Sequence, residues 1–350
     1  LDKLEGMWSF ALYNKITEEL YLCRDRFGEK PLYFTRQGDG IYFSSETNSL
    51  FTLLDRRPDI NMDQVHRYLI NGYKSIYKGK ETFYEEVEEV SSGTWVKINK
   101  NGDVSENRFW TPKTKVNTSL TYADSVELVR ESLLRSVSLR LRSDVPIAFC
   151  MSGGIDSNAL IGIAAQEKGT DVHGFTIVNT DERYGELDLV QSAVQELGIQ
   201  HTSVPLEKKN FLEDLTTLIY AHDCPVYTIT YFLHWKLMSA ISQAGYRVSI
   251  SGTGADELFT GYYDHGNLFL HSINQSEYSL DEALEGWKKN HAPYVRNKYL
   301  SDPFLYINNP NFRDHIYDDS DIFSTFLNDD WNEDYYEKDF NLGLLRNRML

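Results

Sequence analysis

The segment Val145-Pro-Ile-Ala-Phe-Cys-Met-Ser-Gly-Gly-Ile-Asp-Ser157 joins an apolar strand to a glycine turn. The turn leads into a predicted helix from Ser157 to about Glu167. Further along, predicted strands alternate with predicted helices of ten or more residues, as far as a strand at Arg247–Ser251. Strands and helices that alternate in this way build a parallel sheet with both faces covered. The sequence therefore predicts an α/β domain, which we place at residues 122–350.

The first 110 residues have a different pattern. Short aromatic and aliphatic runs, such as Met7–Tyr13 and Leu20–Cys23, are separated by charged turns, which is typical of strands. Residues 111–121 are mainly polar and contain a proline, so we interpret them as a linker. A chain of 350 residues has room for about two domains of ~150 residues each. We therefore predict a strand-rich domain at residues 1–110.

Composition excludes several classes of protein. Lys and Arg total 35 against 52 acidic residues, a net charge of −17 that repels phosphate backbones, so we expect no nucleic-acid partner. No window approaches the ~18 apolar residues of a membrane-spanning helix, so we expect no membrane association. The three cysteines, Cys23, Cys150 and Cys224, lie far apart and indicate neither a zinc site nor a disulfide framework. A cytoplasmic location is the expectation that follows.

The loop Ser152-Gly-Gly-Ile-Asp-Ser157 has the features of an anion site. Paired glycines let the backbone present its N–H groups, the two serines add hydroxyl donors, and the following helix directs its positive end into the loop. Asp156 would repel a phosphate unless a cation lay between them, so we interpret Asp156 as a Mg²⁺ ligand. A tight turn with a capping aspartate is the alternative that these six residues alone leave open.

A second loop, Ser251-Gly-Thr-Gly-Ala-Asp-Glu-Leu-Phe-Thr-Gly261, also follows an apolar strand and again combines glycines with acids. Ligands of open parallel sheets lie at the carboxyl ends of the strands, so both loops are expected to face one crevice. Asp156 and Asp256 would then hold one Mg²⁺ between them, next to a bound polyphosphate.

The two loops together resemble the synthetase domain of glutamine-hydrolysing asparagine synthetases and their relatives, including β-lactam-forming synthetases. Upstream, Leu4–Tyr13, Arg24–Tyr33 and Phe43–Glu46 resemble the later part of the family's glutaminase domain. The resemblance covers about residues 1–265 in the family's order. It implies a parallel-sheet ATP-pyrophosphatase (adenine nucleotide α-hydrolase-like) domain, preceded by the C-terminal part of an α+β N-terminal-nucleophile glutaminase domain of class II amidotransferases.

The resemblance also implies a two-step ligase that uses ATP and Mg²⁺. A carboxylate, with aspartate as the favoured acceptor, would be adenylated and then converted to the amide by ammonia derived from glutamine, with release of AMP and pyrophosphate. The resemblance implies these roles for Asp156 and Asp256 as the catalytic, metal-binding acids, and nucleotide contacts at Met151, Ser152, Gly153, Gly154, Ser157, Ile177, Ser251 and Gly252. Glu186 and His201 also match family positions, with helix-end charge and a hydrogen-bonded core histidine as the alternatives. Whether the protein is a homodimer is left open.

Three departures from the family pattern stand out. The N-terminal cysteine nucleophile of the glutaminase is absent, and a lysine that would stabilise phosphate charge belongs to a segment beyond Leu350, so we expect sequence to be missing at both ends. Thr253 occupies a position that is usually acidic in the family. A threonine cannot serve as a carboxylate base toward ammonia.

Three alternatives to an asparagine synthetase therefore stay open. The first keeps the chemistry but amidates another carboxylate, such as a uronic acid in surface-polysaccharide synthesis. The second is a non-catalytic nucleotide-binding protein, which has little use for two metal-site acids. The third is a tRNA-thiolating enzyme, which the negative net charge and the absence of paired catalytic cysteines disfavour.

Overall fold

The computed structural model describes residues 1–72, 76, 79–112, 117, 119–178, 185–206, 209–310, 312, 320–328 and 331. The chain divides into two compact units. One consists of Leu1–Thr114 and Thr260–Leu350, and the other of Lys115–Phe259. Of the linker predicted at 111–121, residues 113–116 and 118 lie outside the described residues. The domain limits given above stay predictions.

The N-terminal segment is built from antiparallel strands, as its sequence pattern predicts. Its elements are β1 (Ser9–Asn14), β2 (Glu19–Arg24), β3 (Tyr33–Gln37), β4 (Gly40–Ser44), α1 (Thr47–Leu54), α2 (Met62–Asn71), β5 (Val87–Glu89), β6 (Thr94–Ile98) and β7 (Val104–Arg108). One sheet has the order β1-β2-β6-β7 and the other β4-β3-β5. Buried Leu22, Phe34, Val96 and Ile98 belong to one apolar cluster, which forms the core of this segment.

A buried aspartate organises the turn that follows β2. Asp25 is 1% exposed, and its carboxylate accepts hydrogen bonds from the backbone N–H groups of Trp8, Phe27, Glu29 and Lys30. An ionised carboxylate is acceptor-only and has room for several donors, so one side chain satisfies three amides of the turn and a fourth, that of Trp8, just before β1. Asp25 therefore has a structural role in this turn.

The second unit contains the parallel sheet. Its elements are α3 (Tyr122–Arg140), β8 (Ile147–Cys150), α4 (Ile155–Gly162), β9 (His173–Val178), α5 (Leu187–Leu197), β10 (Gln200–Pro205), α6 (Phe211–His222), α7 (Ile229–Gln243), β11 (Val248–Ile250) and α8 (Ala255–Phe259). The strand order is β10-β9-β8-β11, and all three strand pairs are parallel.

Apolar side chains cover both faces of this sheet. On one face Phe149 and Val172 belong to a cluster with Ile161 of α4 and Val190 of α5. Another cluster joins Ala148 and Phe175 to Leu237 and Ile241 of α7. Because successive side chains of a strand point to opposite faces, Ala148 and Phe149 belong to different clusters. This two-sided burial is the reason why the central strand β8 is a continuous apolar run rather than an alternating one.

The helix after the first loop differs from its prediction at both ends. It begins at Ile155 rather than at Ser157, with Gly154 as N-cap, so Asp156 lies in its first turn. A carboxylate is stabilised there by the positive end of the helix. The α-helix ends at Gly162, and a π-helical turn continues to Glu167.

The remaining described elements are helical. They are α9 (Tyr263–Asn274), α10 (Leu280–Asn290), α11 (Leu305–Asn308) and α12 (Ser320–Ser324). The indole N–H of Trp287 on α10 donates to the buried side chain of Asn267 on α9 over 2.8 Å.

Over the described part of the chain, no helix has both the length and the apolar character that a membrane crossing requires.

Candidate active site

A cavity of about 610 Å³ lies in the unit Lys115–Phe259, where residues at and after the carboxyl ends of β8, β9 and β11 line it. Ten nucleotide- or metal-binding residues were predicted from the sequence, and nine of them line this one cavity: Met151, Ser152, Gly154, Asp156, Ser157, Ile177, Ser251, Gly252 and Asp256. The tenth, Gly153, lies in the same loop. The structure thus brings the predicted residues together, and their individual roles stay predictions.

The first loop is held by its own hydroxyl groups. The backbone N–H of Ser152 donates to Ser157 Oγ (3.2 Å), and the N–H of Gly154 donates to Ser152 Oγ (3.2 Å). The side-chain amide of Asn158 donates to the carbonyls of Ser152 (2.9 Å) and Gly154 (2.7 Å). Asn158 was not singled out in the sequence, although its position just after the loop, in the first turn of a helix, suits a side chain that bonds back to the backbone.

Glu186 contacts the same loop. Its Oε2 accepts the N–H of Gly153 over 2.8 Å. A Cβ added at Gly153 would lie 3.0 Å from Glu186 Cβ and 3.1 Å from Leu189 Cδ1, so only a glycine lets the start of α5 approach the loop this closely. Glu186 also lines the cavity, and it is the residue just before α5. Of the two readings of this residue, helix-end charge and site residue, its contact with the loop favours the second.

The two glycine loops touch each other at Gly252. A Cβ added there would lie 2.9 Å from the backbone nitrogen of Ser157 and 3.0 Å from Asp156 Cβ. The loop after β11 therefore packs directly against the residue that carries the first predicted metal ligand. Asp256 follows four residues later in α8 and lines the same cavity as Asp156. Strands β8 and β11 are adjacent in the sheet, which is why their loops meet.

These residues fit a magnesium ion that arrives with a polyphosphate. Mg²⁺ is usually bound by one or two carboxylates together with substrate phosphates and water. Asp156 and Asp256 supply two carboxylates to one cavity. Among the residues that the structure describes, no group of three or more His, Cys, Asp and Glu side chains is placed to hold a metal on its own. The two carboxylates therefore suit a metal that is shared with a bound polyphosphate.

A hydrogen-bonded chain connects the site to the neighbouring strands. The hydroxyl of Thr176, which is buried, donates to the carbonyl of Met151 (2.8 Å). That bond uses the only hydroxyl proton, so His201 Nε2 carries a proton and donates to Thr176 Oγ1 over 3.0 Å. Burial lowers the pKa of His201, with a smaller contribution from His173, and this favours the neutral ring. His201 therefore contacts Met151, the residue that precedes the loop, only indirectly, through the hydroxyl of Thr176.

Helix α7 provides a wall of the cavity that the sequence did not predict. Thr230, Leu233 and His234 line the cavity from this helix. Cys150 lines it from β8, and burial raises the pKa of its thiol, so the thiol is held in its protonated form. Thr253 also lies at the cavity, where its hydroxyl oxygen accepts a hydrogen bond from Ser251 Oγ (3.1 Å). An alternation of strands and helices cannot reveal which helix face lines a ligand site.

Comparison with known families supports the same assignment. The asparagine synthase family model matches residues 128–320, which is 193 of the 350 residues. The chain belongs to the asparagine synthase family. A glutamine amidotransferase domain model matches residues 1–110. The family resemblance stated from the two loops is therefore confirmed, and so is the fold class, with its parallel sheet following an amidotransferase segment.

Curated relatives within the family carry the corresponding names. Asparagine synthetase [glutamine-hydrolyzing] 1 of Bacillus subtilis is 31% identical over 268 residues, which is 75% of this chain and 40% of that protein. A putative asparagine synthetase [glutamine-hydrolyzing] 2 of Methanocaldococcus jannaschii is 28% identical over 277 residues, 76% of this chain and 52% of that protein. The chain thus spans about half or less of the length of these relatives. A solved NH3-dependent NAD synthetase from Campylobacter jejuni (14% identity, TM-score 0.28, 50% of this chain and 89% of that chain) is too distant to add to the assignment.

Proposed function

We propose that the protein is an ATP-dependent, amide-forming carbon–nitrogen ligase that activates a carboxylate as its adenylate. The observation that carries this proposal is the meeting of two glycine loops, each with an aspartate, at one cavity of about 610 Å³. The adjacency of β8 and β11 explains why the loops meet, but it does not explain why each loop brings glycines and an aspartate to the same cavity. The match of residues 128–320 to the asparagine synthase model supports the same chemistry.

In the first step, a carboxylate oxygen of the acceptor attacks the α-phosphorus of ATP, and the bond to the β-phosphate bridging oxygen breaks to release pyrophosphate. The hydroxyls of Ser152 and Ser157 and the N–H groups of their loop would orient the β- and γ-phosphates. Asp156 and Asp256 would hold Mg²⁺, which neutralises phosphate charge and polarises the α-phosphorus when it is bound. Met151 and Ile177 would lie against the adenine and ribose, with Ser251 and Gly252 also against the nucleotide.

In the second step, ammonia attacks the acyl carbon of the adenylate, loses a proton, and displaces AMP to leave the amide. Adenylation is chemically necessary because a free carboxylate is a poor acyl donor, whereas AMP is a good leaving group. Thr253 cannot take up the proton as a carboxylate would, so another group or water must accept it. We propose glutamine as the source of the ammonia, in keeping with the amidotransferase match at residues 1–110.

Aspartate is the acceptor we propose, because the relatives that match this chain are named asparagine synthetases. A cytoplasmic location and small-molecule substrates belong to the same proposal. Thr253 is the feature that would suit a different acceptor, since it changes the chemistry at a position inside the cavity.

The first half-reaction provides the test. Exchange of labelled pyrophosphate into ATP should depend on aspartate and should be lost in Asp156→Ala, because that variant removes a metal ligand. The control is Asp144→Ala, which removes the same charge from an exposed position that precedes the amino end of β8. Exchange that responds only to uronic acids would contradict aspartate as the acceptor but would still support an amide-forming ligase. No exchange with any carboxylate in a broad panel would contradict the ligase and favour a nucleotide-binding protein.

A further inference from the structure

All three backbone N–H groups at the start of the glycine loop donate to side-chain oxygens of the protein itself. The N–H of Ser152 donates to Ser157 Oγ, that of Gly154 to Ser152 Oγ, and that of Gly153 to Glu186 Oε2. The acceptors differ in kind. The two hydroxyls can rotate and donate to a ligand, whereas an ionised carboxylate can only accept. Glu186 therefore has the same hydrogen-bonding character as a phosphate oxygen.

The carboxylate of Glu186 cannot withdraw far from the loop. Its backbone lies just before the first turn of α5, and that turn packs on Gly153, whose added Cβ would meet Glu186 Cβ at 3.0 Å and Leu189 Cδ1 at 3.1 Å. Even if the side chain changed rotamer, its charge would stay within a few ångströms of an anion bound at this loop. Glu186 is exposed, so solvent screens the repulsion between the two like charges, but pyrophosphate carries several negative charges at this short range.

The rest of the described lining does not offset this charge. Asp156 and Asp256 add two further carboxylates, and among the described residues that line the cavity there is no lysine or arginine. A polyphosphate that enters alone would meet three acidic side chains. One that enters with a divalent cation brings the compensating charge with it, because the cation can lie between phosphate and carboxylate oxygens.

From this contact we propose that Glu186 is a specificity-determining residue, which makes the loop accept a polyphosphate only in complex with a divalent cation and reject the metal-free anion. The inference rests on the proposed function, since it concerns the same pyrophosphate loop. It assigns Glu186 a role as an anionic competitor for the N–H of Gly153. The metal-free anion has to displace this carboxylate without help, whereas the magnesium complex brings a counterion for it.

Calorimetric titration of the whole chain with inorganic pyrophosphate tests this role of Glu186 directly. One titration is carried out in about 5 mM MgCl₂ and the other in excess EDTA. In Glu186→Gln the side chain keeps its size and an acceptor oxygen but loses its charge. We expect this variant to bind metal-free pyrophosphate about tenfold more tightly than the unmodified protein. Its affinity for magnesium pyrophosphate should change by less than about threefold, because the cation already compensates the carboxylate.

Glu196→Gln is the matched control, since it removes the same charge from an exposed position about 15 Å along α5 from Glu186. It should behave as the unmodified protein does. Equal shifts for both forms of pyrophosphate, no shift, or weaker binding in Glu186→Gln would each overturn the inference and leave the ligase proposal intact. If the unmodified protein binds neither magnesium pyrophosphate nor magnesium ATP, the ligase proposal fails as well. Thermal unfolding of each variant verifies that the fold is retained.

Discussion

The loop after β11 packs against the first loop at Gly252. Of the loop glycines, Gly252 has the least room for a Cβ. Its added Cβ would lie 2.9 Å from a backbone nitrogen, which cannot rotate away as a side chain could. We therefore expect Gly252→Ala to separate the loops, to lower the free energy of unfolding by roughly 1–3 kcal/mol, and to weaken magnesium-ATP binding. Urea unfolding and calorimetry measure the two effects. Gly162→Ala in α4, where a Cβ meets nothing within 4 Å, is the control and should stabilise the protein slightly. Unchanged stability and affinity in Gly252→Ala would contradict the close contact.

The hydroxyl of Thr176 is expected to stabilise the fold through its two hydrogen bonds. Thr176→Val keeps the shape of the side chain but removes the donor to the Met151 carbonyl and the acceptor for His201 Nε2–H. The carbonyl of buried Met151 and the half-buried ring of His201 lose their partner, so we expect the free energy of unfolding to fall by about 1–3 kcal/mol. Thr176→Ser retains the hydroxyl and should restore most of the loss. Chemical unfolding of the two variants side by side decides whether the hydroxyl or only the packing matters.

The strand pair β9–β10 carries histidines that make stability depend on pH. His173 bonds Thr202, and His201 bonds Thr176, across the parallel register. Burial lowers the pKa of both histidines in the folded protein, so between their folded pKa and the unfolded value of about 6.5 the unfolded chain binds more protons. Stability should therefore be complete above about pH 6.5 and should fall as the pH drops below it. Urea unfolding between about pH 5.5 and 7.5 measures how steeply the free energy of unfolding changes with pH.

The double variant His173→Gln/His201→Gln removes both titrating rings and should flatten that slope. His222, whose pKa is also lowered by burial, stays in the double variant and leaves a residual dependence. An identical slope in the double variant would show that the two rings on β9 and β10 do not control it.

The same elements show what sequence reasoning can and cannot reach. The apolar runs and glycine turns were enough to predict the parallel sheet and the meeting of the two loops, because strand ends and loop composition are local properties, and the family resemblance added the nucleotide contacts among the nine residues that line the cavity. The start of α4 was placed two residues late, since a glycine N-cap leaves no polar side chain to mark it. The packing of α7 on the cavity and the bond from Glu186 to Gly153 depend on tertiary contacts between distant segments, which no local pattern encodes.

At the scale of the whole chain, the net charge of −17 favours an amide ligase over a tRNA-modifying enzyme. Nucleic-acid affinity comes mainly from phosphate contacts by Lys and Arg, and 52 acids against 35 basic residues oppose them. We expect no binding of labelled tRNA in fluorescence polarisation at up to about 10 µM protein in ~0.15 M salt. Repeating the titration at low salt is the stricter condition, because screening weakens there and any local basic patch would be most effective. Binding that weakens linearly with the logarithm of salt concentration would reveal such a patch and would reopen the tRNA-modifying alternative.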